Sequence, residues 1–301
     1  MTQRFCKTCK YWDTAHRPGT TGGACRLPHS RTGSSFANPV FDRATALPVV
    51  NGQGCRDIHT GPLYSCIHHH EVQVNEILIK MDGKQKVLLF GGSFDPPTKA
   101  HVEMPQMVAK EVGADLVIYI PAKRSPHKLD PKGMPATGKA RVNMLLLALQ
   151  DCPDTTVWTY ELEQESSASF TIDTLKAFKD RLNRCTNIRK PSKINLLIGS
   201  DQAVAFKAWK DYEEIVDIAE PMVSIRPPHT ANDILRNFAE NEREDWLKRI
   251  VKVEEADCSS TEVRDRVGIG ESISHLVHPD VEKYIEDNLL YRANSSGDNQ
   301  D

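Results

Sequence analysis

Val87-Leu-Leu-Phe90 is a short apolar run that ends on the pair Gly91-Gly92. A run of this length suits a strand buried on both faces and entering a tight turn. Behind it, strand-like and helix-like segments alternate to the end of the chain. Val102 to Val112 reads as helix and Asp115 to Pro121 as a buried strand. Lys139 to Leu149 is helical, with Leu145, Leu146 and Leu149 at core spacing. Thr156 to Leu162 reads as extended and Thr171 to Leu182 as helix. Ile194 to Gly199 is another buried strand, with helix-like stretches to Ile218. Pro221 to Arg226 is strand-like, Ala231 to Ile250 helical, and Val251 to Glu255 a short strand before two closing helices. This alternation predicts an α/β fold with a doubly wound parallel sheet covered by helices on both faces. Ligands of such sheets bind at the carboxyl ends of the strands.

The segment ahead of this pattern differs in kind. Residues 1–70 are rich in Gly, Pro, Ser, Thr and Cys and predict a small loop-rich module; 71–85 read as a connector, 86–292 as the main domain, and 293–301 as a polar disordered tail. Five of the eight cysteines, Cys6, Cys9, Cys25, Cys55 and Cys66, lie in the module. In a reducing compartment such a cluster reads as a metal site rather than as disulfides. Cys6, Cys9, Cys25 and Cys66 are the favoured ligands for a structural Zn²⁺, with the His68-His-His70 run able to replace one of them. The alternatives are free cysteines in loops and an iron–sulfur cluster.

Charge and hydropathy narrow the function classes. A net charge of −3 gives no general attraction to nucleic acid or to an anionic membrane. No apolar run approaches the roughly 20 residues of a membrane span. The start, Met1-Thr-Gln-Arg-Phe-Cys6, lacks the apolar core of a secretion signal, so a cytoplasmic location is expected. Any phosphate binding must come from local groups.

Three segments supply such groups. Gly91-Gly-Ser-Phe-Asp-Pro-Pro-Thr-Lys-Ala-His101 places glycines after a buried strand, where backbone can approach a ligand. Thr98 and His101 fall one turn apart at the start of the next helix, where free N–H groups and the helix dipole attract anions. Ser259-Ser-Thr-Glu-Val-Arg264 puts Ser260, Thr261 and Arg264 at another helix start, a cradle for polyphosphate. Pro121-Ala-Lys-Arg-Ser-Pro-His-Lys128 follows a strand and offers Lys128. Taken singly, each has a plain structural reading: a capped turn, a helix cap, a solvated charged loop. Their coincidence favours phosphate chemistry.

These residues resemble the HxGH-type nucleotidyltransferases, and within them the bacterial nicotinate mononucleotide adenylyltransferases. The likeness runs from about Lys86 to Arg292. It is carried by the Gly91–His101 loop, Ile120-Pro-Ala with Ser125–Lys128, and Arg141–Ala148. Glu161-Leu, Ser169-Phe-Thr-Ile-Asp-Thr-Leu175 and Ile198-Gly-Ser-Asp201 with Phe206 and Trp209 continue it. Ile225-Arg-Pro227, Ser259–Arg264 and Val281–Tyr291 complete it.

The resemblance implies a Rossmann-like fold and adenylyl transfer from ATP to nicotinate mononucleotide, with Mg²⁺ accompanying ATP. It implies that His101, Thr98, Lys128 and Arg264 serve catalysis. Gly91, Gly92, Ser93, Phe94, Gly199, Asp201, Ser260 and Thr261 would bind ATP. Phe170, Thr171, Trp209 and Arg226 would bind the pyridine nucleotide. The family usually has His and Gly where Thr98 and Ala100 stand, which bears on rate rather than on reaction class. Partners are then ATP and a pyridine mononucleotide, with no nucleic acid and no membrane; a homo-oligomer stays open. Rival readings are transfer to nicotinamide mononucleotide and a catalytically lapsed nucleotide-binding regulator. Pantetheine-phosphate adenylyltransferases lack the Ser169–Leu175 pattern, and a class I aminoacyl-tRNA synthetase would need a basic RNA surface.

Overall fold

The computed structural model describes residues 77–123, 136–164, 169–186, 188–253 and 258–292, together with five short strands nearer the N-terminus. Contacts divide the chain into two units, Met1–Ile79 and Lys80–Asp301. In the first, Trp12–Asp13 pairs antiparallel with Ala24–Cys25, and Val40–Phe41, Pro48–Val50 and Gln53–Gly54 form a second antiparallel sheet. Cys25 lies in one of these strands; Cys6, Cys9 and Cys66 lie outside the described residues, as do residues 293–301. Among the described residues no group of His, Cys, Asp or Glu is placed to hold a metal ion, and no helix is long and apolar enough to cross a membrane.

The second unit is built on six parallel strands: β1 (Lys86–Gly92), β2 (Leu116–Pro121), β3 (Thr155–Val157), β4 (Lys193–Gly199), β5 (Glu220–Ser224) and β6 (Ile250–Val251). Their order across the sheet is β6-β5-β4-β1-β2-β3. The doubly wound α/β expectation therefore holds. Val87, Leu88 and Leu89 are wholly buried, because β1 sits between β2 and β4 with helices on both faces. The winding direction reverses between β1 and β4. Loops leaving their carboxyl ends diverge there and open a crevice.

The helices are α1 (Lys99–Val112), α2 (Gly138–Ala148), α3 (Tyr160–Glu163), α4 (Thr171–Arg184), α5 (Ser200–Val204), α6 (Tyr212–Ile218), α7 (Ala231–Leu235), α8 (Glu240–Lys248), α9 (Ser260–Gly268) and α10 (Pro279–Asp287). A core of Met144 on α2, Val263 on α9, Ile273, Leu276, and Val281 and Ile285 on α10 fixes how α9 meets the sheet. Burying a side chain such as Val263 contributes about 1.5–3 kcal/mol.

Three segments differ from the sequence expectation. Thr156 to Leu162 is not one extended run: β3 stops at Val157 and α3 begins at Tyr160. Trp158 and Tyr160 stack with ring centroids 5.0 Å apart, and a four-residue helix is too short to show a helical period. Ala231 to Ile250 breaks into α7 and α8. Phe238 leaves the helical path to stack on Trp246 at 3.9 Å, and the Glu242 side chain then caps the Ala239 N–H at 2.8 Å. The last strand, expected at Val251–Glu255, is described from Ile250 to Val251; residues 254–257 lie outside the described residues.

At the end of β1 the need for glycine is steric. A Cβ on Gly92 would stand 2.8 Å from Cζ of Phe94, whose ring is buried between Phe90 and Tyr119. Gly92→Ala is expected to lower stability by about 1–3 kcal/mol, the usual range for overpacking a filled site, as read by urea unfolding.

Candidate active site

The loop after β1 is shaped around His101. Phe94 adopts a left-handed backbone with φ 49°, and the Asp95–Pro96 peptide is cis. Thr98 is the N-cap of α1. Its backbone N–H donates to Nδ1 of His101 at 3.1 Å, and its hydroxyl lies 2.8 Å from the same nitrogen. Because Nδ1 accepts a backbone hydrogen bond, the proton of the neutral ring resides on Nε2. The Phe94 ring meets the imidazole edge-on at 5.5 Å. Thr98 therefore does not replace an imidazole in kind; it fixes the tautomer and orientation of the one that remains.

One expectation is corrected here. The first amides of α1 are not left free for an anion. The Lys99 N–H donates to the Leu276 carbonyl at 2.9 Å, and the Ala100 N–H to Sγ of Cys258 at 3.3 Å. The docking of α1 on Cys258, just before α9, and on Leu276, between α9 and α10, consumes both donors. Any anion at this helix start meets the dipole and the imidazole instead.

The start of α9 is fastened to the same loop. Nη1 of Arg264 donates to the Asp95 carbonyl at 2.8 Å, and Nη2 reaches Oγ1 of Thr261 at 3.3 Å. The Ser260 hydroxyl donates to the Pro96 carbonyl at 2.8 Å, so its proton tethers the loop rather than pointing to a ligand. The segment Asp95–Thr98 thus bonds both to Arg264 of α9 and to His101 of α1. Lys128 lies outside the described residues.

Beneath the loop is a charged network that the sequence reading did not assign. The Asp95 carboxylate is buried and accepts the Tyr291 hydroxyl at 2.6 Å. Burial raises the Asp95 carboxyl above its ordinary range, against the lowering pull of Tyr291, Arg141 and Arg264. Arg141, 2% exposed, donates to the Ser93 carbonyl at 2.6 Å, and burial lowers its pKa. Asp95, Arg141 and Tyr291 all stand in the strings that carry the resemblance, but a side chain buried beneath a loop has no signature of its own in spacing.

Beside the loop lies a cavity of about 300 Å³. Gly91, Gly92 and Ser93 form one wall, and Phe170, Thr171, Thr174, Trp209, Lys210 and Glu161 form others. The three cavity residues expected for the pyridine side, Phe170, Thr171 and Trp209, are therefore brought together next to the glycine loop. Trp209 leans on buried Phe206 with ring centroids at 5.2 Å. Glu161 is buried; Oε1 accepts the Thr174 hydroxyl at 2.7 Å. Burial pushes its carboxyl pKa up, while hydrogen bonds from Thr174 and Ser169 pull it down.

A carboxyl raised on folding adds stability that is full below its unfolded pKa. That stability is lost as pH rises through the folded value. Glu161→Gln is neutral throughout, so its melting temperature is expected to gain on the natural protein as pH climbs from 4 to 7. Parallel thermal melts check this.

A further cluster closes the ends of β4 and β5. Asp201 pairs with Arg226 at 3.2 Å. Oγ of Ser200, fully buried, accepts the Arg226 N–H at 3.3 Å and donates to its carbonyl at 3.2 Å. A Cβ on Gly199 would stand 2.6 Å from Oδ1 of Asp201. Gly199, Asp201 and Arg226 thus share one strand-end corner.

The six-stranded parallel sheet, its switch point and the glycine turn after β1 define a Rossmann-like α/β protein with a nucleotidyltransferase fold. The chain belongs to the cytidylyltransferase-like family, whose model matches residues 89–266. The "Probable nicotinate-nucleotide adenylyltransferase" of Dictyoglomus thermophilum is 32% identical over 208 residues, spanning 68% of this chain and 99% of the relative. The nicotinate-nucleotide adenylyltransferase of Salmonella typhi is 28% identical over 222 residues, spanning 68% and 97%. In fold, the chain is similar to the Plasmodium falciparum nicotinic acid mononucleotide adenylyltransferase complexed with NaAD, with TM-score 0.50, 19% identity and coverage of 69% and 97%.

Proposed function

We propose that this protein transfers the adenylyl group of ATP to nicotinate mononucleotide, releasing pyrophosphate. The observation that carries the reading is the attachment of His101 and Arg264 to one loop that also walls the cavity holding Phe170 and Trp209. A phosphate oxygen of the mononucleotide attacks the α-phosphorus of ATP. A new P–O bond forms, the α–β bridging P–O bond breaks, and pyrophosphate carries away the electron pair. The nucleophile is already anionic at neutral pH, so no base and no covalent enzyme intermediate are needed. Catalysis is alignment and charge stabilisation.

His101 donates from Nε2 to the α-phosphate as its charge grows. Arg264 holds the β- and γ-phosphates, helped by the Thr261 hydroxyl and Lys128. Gly91, Gly92 and Ser93 let the nucleotide pass close to the backbone. Gly199 and Asp201 meet the adenosine ribose, and Arg226 lies toward the mononucleotide phosphate. Trp209 stacks on the pyridine ring, and backbone groups of Phe170 and Thr171 receive its carboxylate. Mg²⁺ arrives as MgATP. Asp95 and Asp201 are already engaged, by Tyr291 and Arg226, which fits an ion held by the triphosphate.

The test incubates purified protein with MgATP and either nicotinate or nicotinamide mononucleotide, then measures pyrophosphate and dinucleotide. Turnover with the nicotinate form exceeds that with the amide. Absence of product from both would sink the reading.

A further inference from the structure

We propose that Lys210 is a specificity-determining residue: its ammonium group favours a mononucleotide whose ring bears a carboxylate over one bearing an uncharged amide. This deepens the adenylyl-transfer reading and rests on it. Among the described residues lining the cavity, two are ionisable, Glu161 and Lys210. Glu161 is buried, and its carboxylate is engaged by the hydroxyls of Thr174 and Ser169 rather than presented to the ring. Lys210 is the cation among the described lining residues, adjacent in sequence to Trp209, whose ring is expected to stack on the pyridine.

Its position is set by the first turn of α4. Nζ lies 5.0 Å from the centroid of the Phe170 ring and 3.3 Å from each carboxylate oxygen of Asp173. A close charge-assisted bond is shorter, about 2.7–2.9 Å. The two side chains are 46% and 53% exposed, so the pair is loose and its cation can be shared with a ligand. The N-terminus of α4 adds field of the same sign at the same place. Thr171, also in the cavity wall, is the first residue of that helix. Lysine and helix start together form a positive rim against a ring carboxylate, while a carboxamide gains little from either.

The test compares natural protein, Lys210→Met and Lys210→Arg with MgATP and each mononucleotide, reading kcat and KM separately. Lys210→Met is expected to cut the nicotinate-over-nicotinamide ratio of kcat/KM by about 10- to 150-fold, the range for losing one hydrogen bond to a charged group, chiefly through the nicotinate KM. Lys210→Arg keeps the charge and most of the preference. An unchanged ratio in Lys210→Met, with both substrates affected equally or not at all, overturns the assignment while leaving the adenylyl-transfer reading intact. Product from neither mononucleotide with the natural protein overturns that reading and the assignment with it.

Discussion

Arg264→Ala is expected to lower kcat/KM for adenylyl transfer on the order of 10³-fold, about 4 kcal/mol of transition-state stabilisation. Two losses combine. The first is a positive charge opposite the leaving pyrophosphate. The second is the fastening of the loop, because the guanidinium holds the Asp95 carbonyl at 2.8 Å and Thr261 at 3.3 Å. Lysine restores charge but not the planar fork, so Arg264→Lys should recover only part of the rate. Steady-state pyrophosphate release, with circular dichroism to verify folding, separates the three proteins. Equal rates in all three would remove Arg264 from the phosphate site.

His101→Ala is expected to lower kcat by about 10²- to 10³-fold with little change in the KM for ATP, the signature of a donor that matters mainly in the transition state. The imidazole is oriented by Thr98 through a backbone N–H and a hydroxyl. Thr98→Val removes the hydroxyl and leaves the N–H, so the tautomer survives. Its loss should be about 10-fold, the scale of one ordinary hydrogen bond. The same kinetic assay ranks the two variants, and a Thr98→Val loss as large as that of His101→Ala would contradict this division of labour.

The parts of the fold legible in the sequence were those governed by strong periodicity. Strands buried on both faces, such as Val87–Phe90 and Ile194–Gly199, carry continuous apolar runs, and long helices such as α1 and α4 carry amphipathic stripes. The break between α7 and α8 was not legible, because it depends on Phe238 reaching Trp246 across the fold. In the site, residues in ordered strings next to strand ends could be read directly. Their detailed bonds could not: Ser260 turns its proton to Pro96, and the first amides of α1 are taken by Leu276 and Cys258. Tyr291 meets Asp95 across 196 residues of chain, and no local spacing encodes such a contact. Lys210 looks like an ordinary exposed lysine until α4 is placed beside it.

The loop fastened by Arg264 and the imidazole fixed by Thr98 make one claim in common, that a triphosphate lies between them. A crystal structure with Mg²⁺ and α,β-methylene ATP tests it most directly. The α-phosphate should lie within about 3.2 Å of Nε2 of His101, with Arg264 bonded to the β- or γ-phosphate. A triphosphate bound away from both side chains would contradict the account.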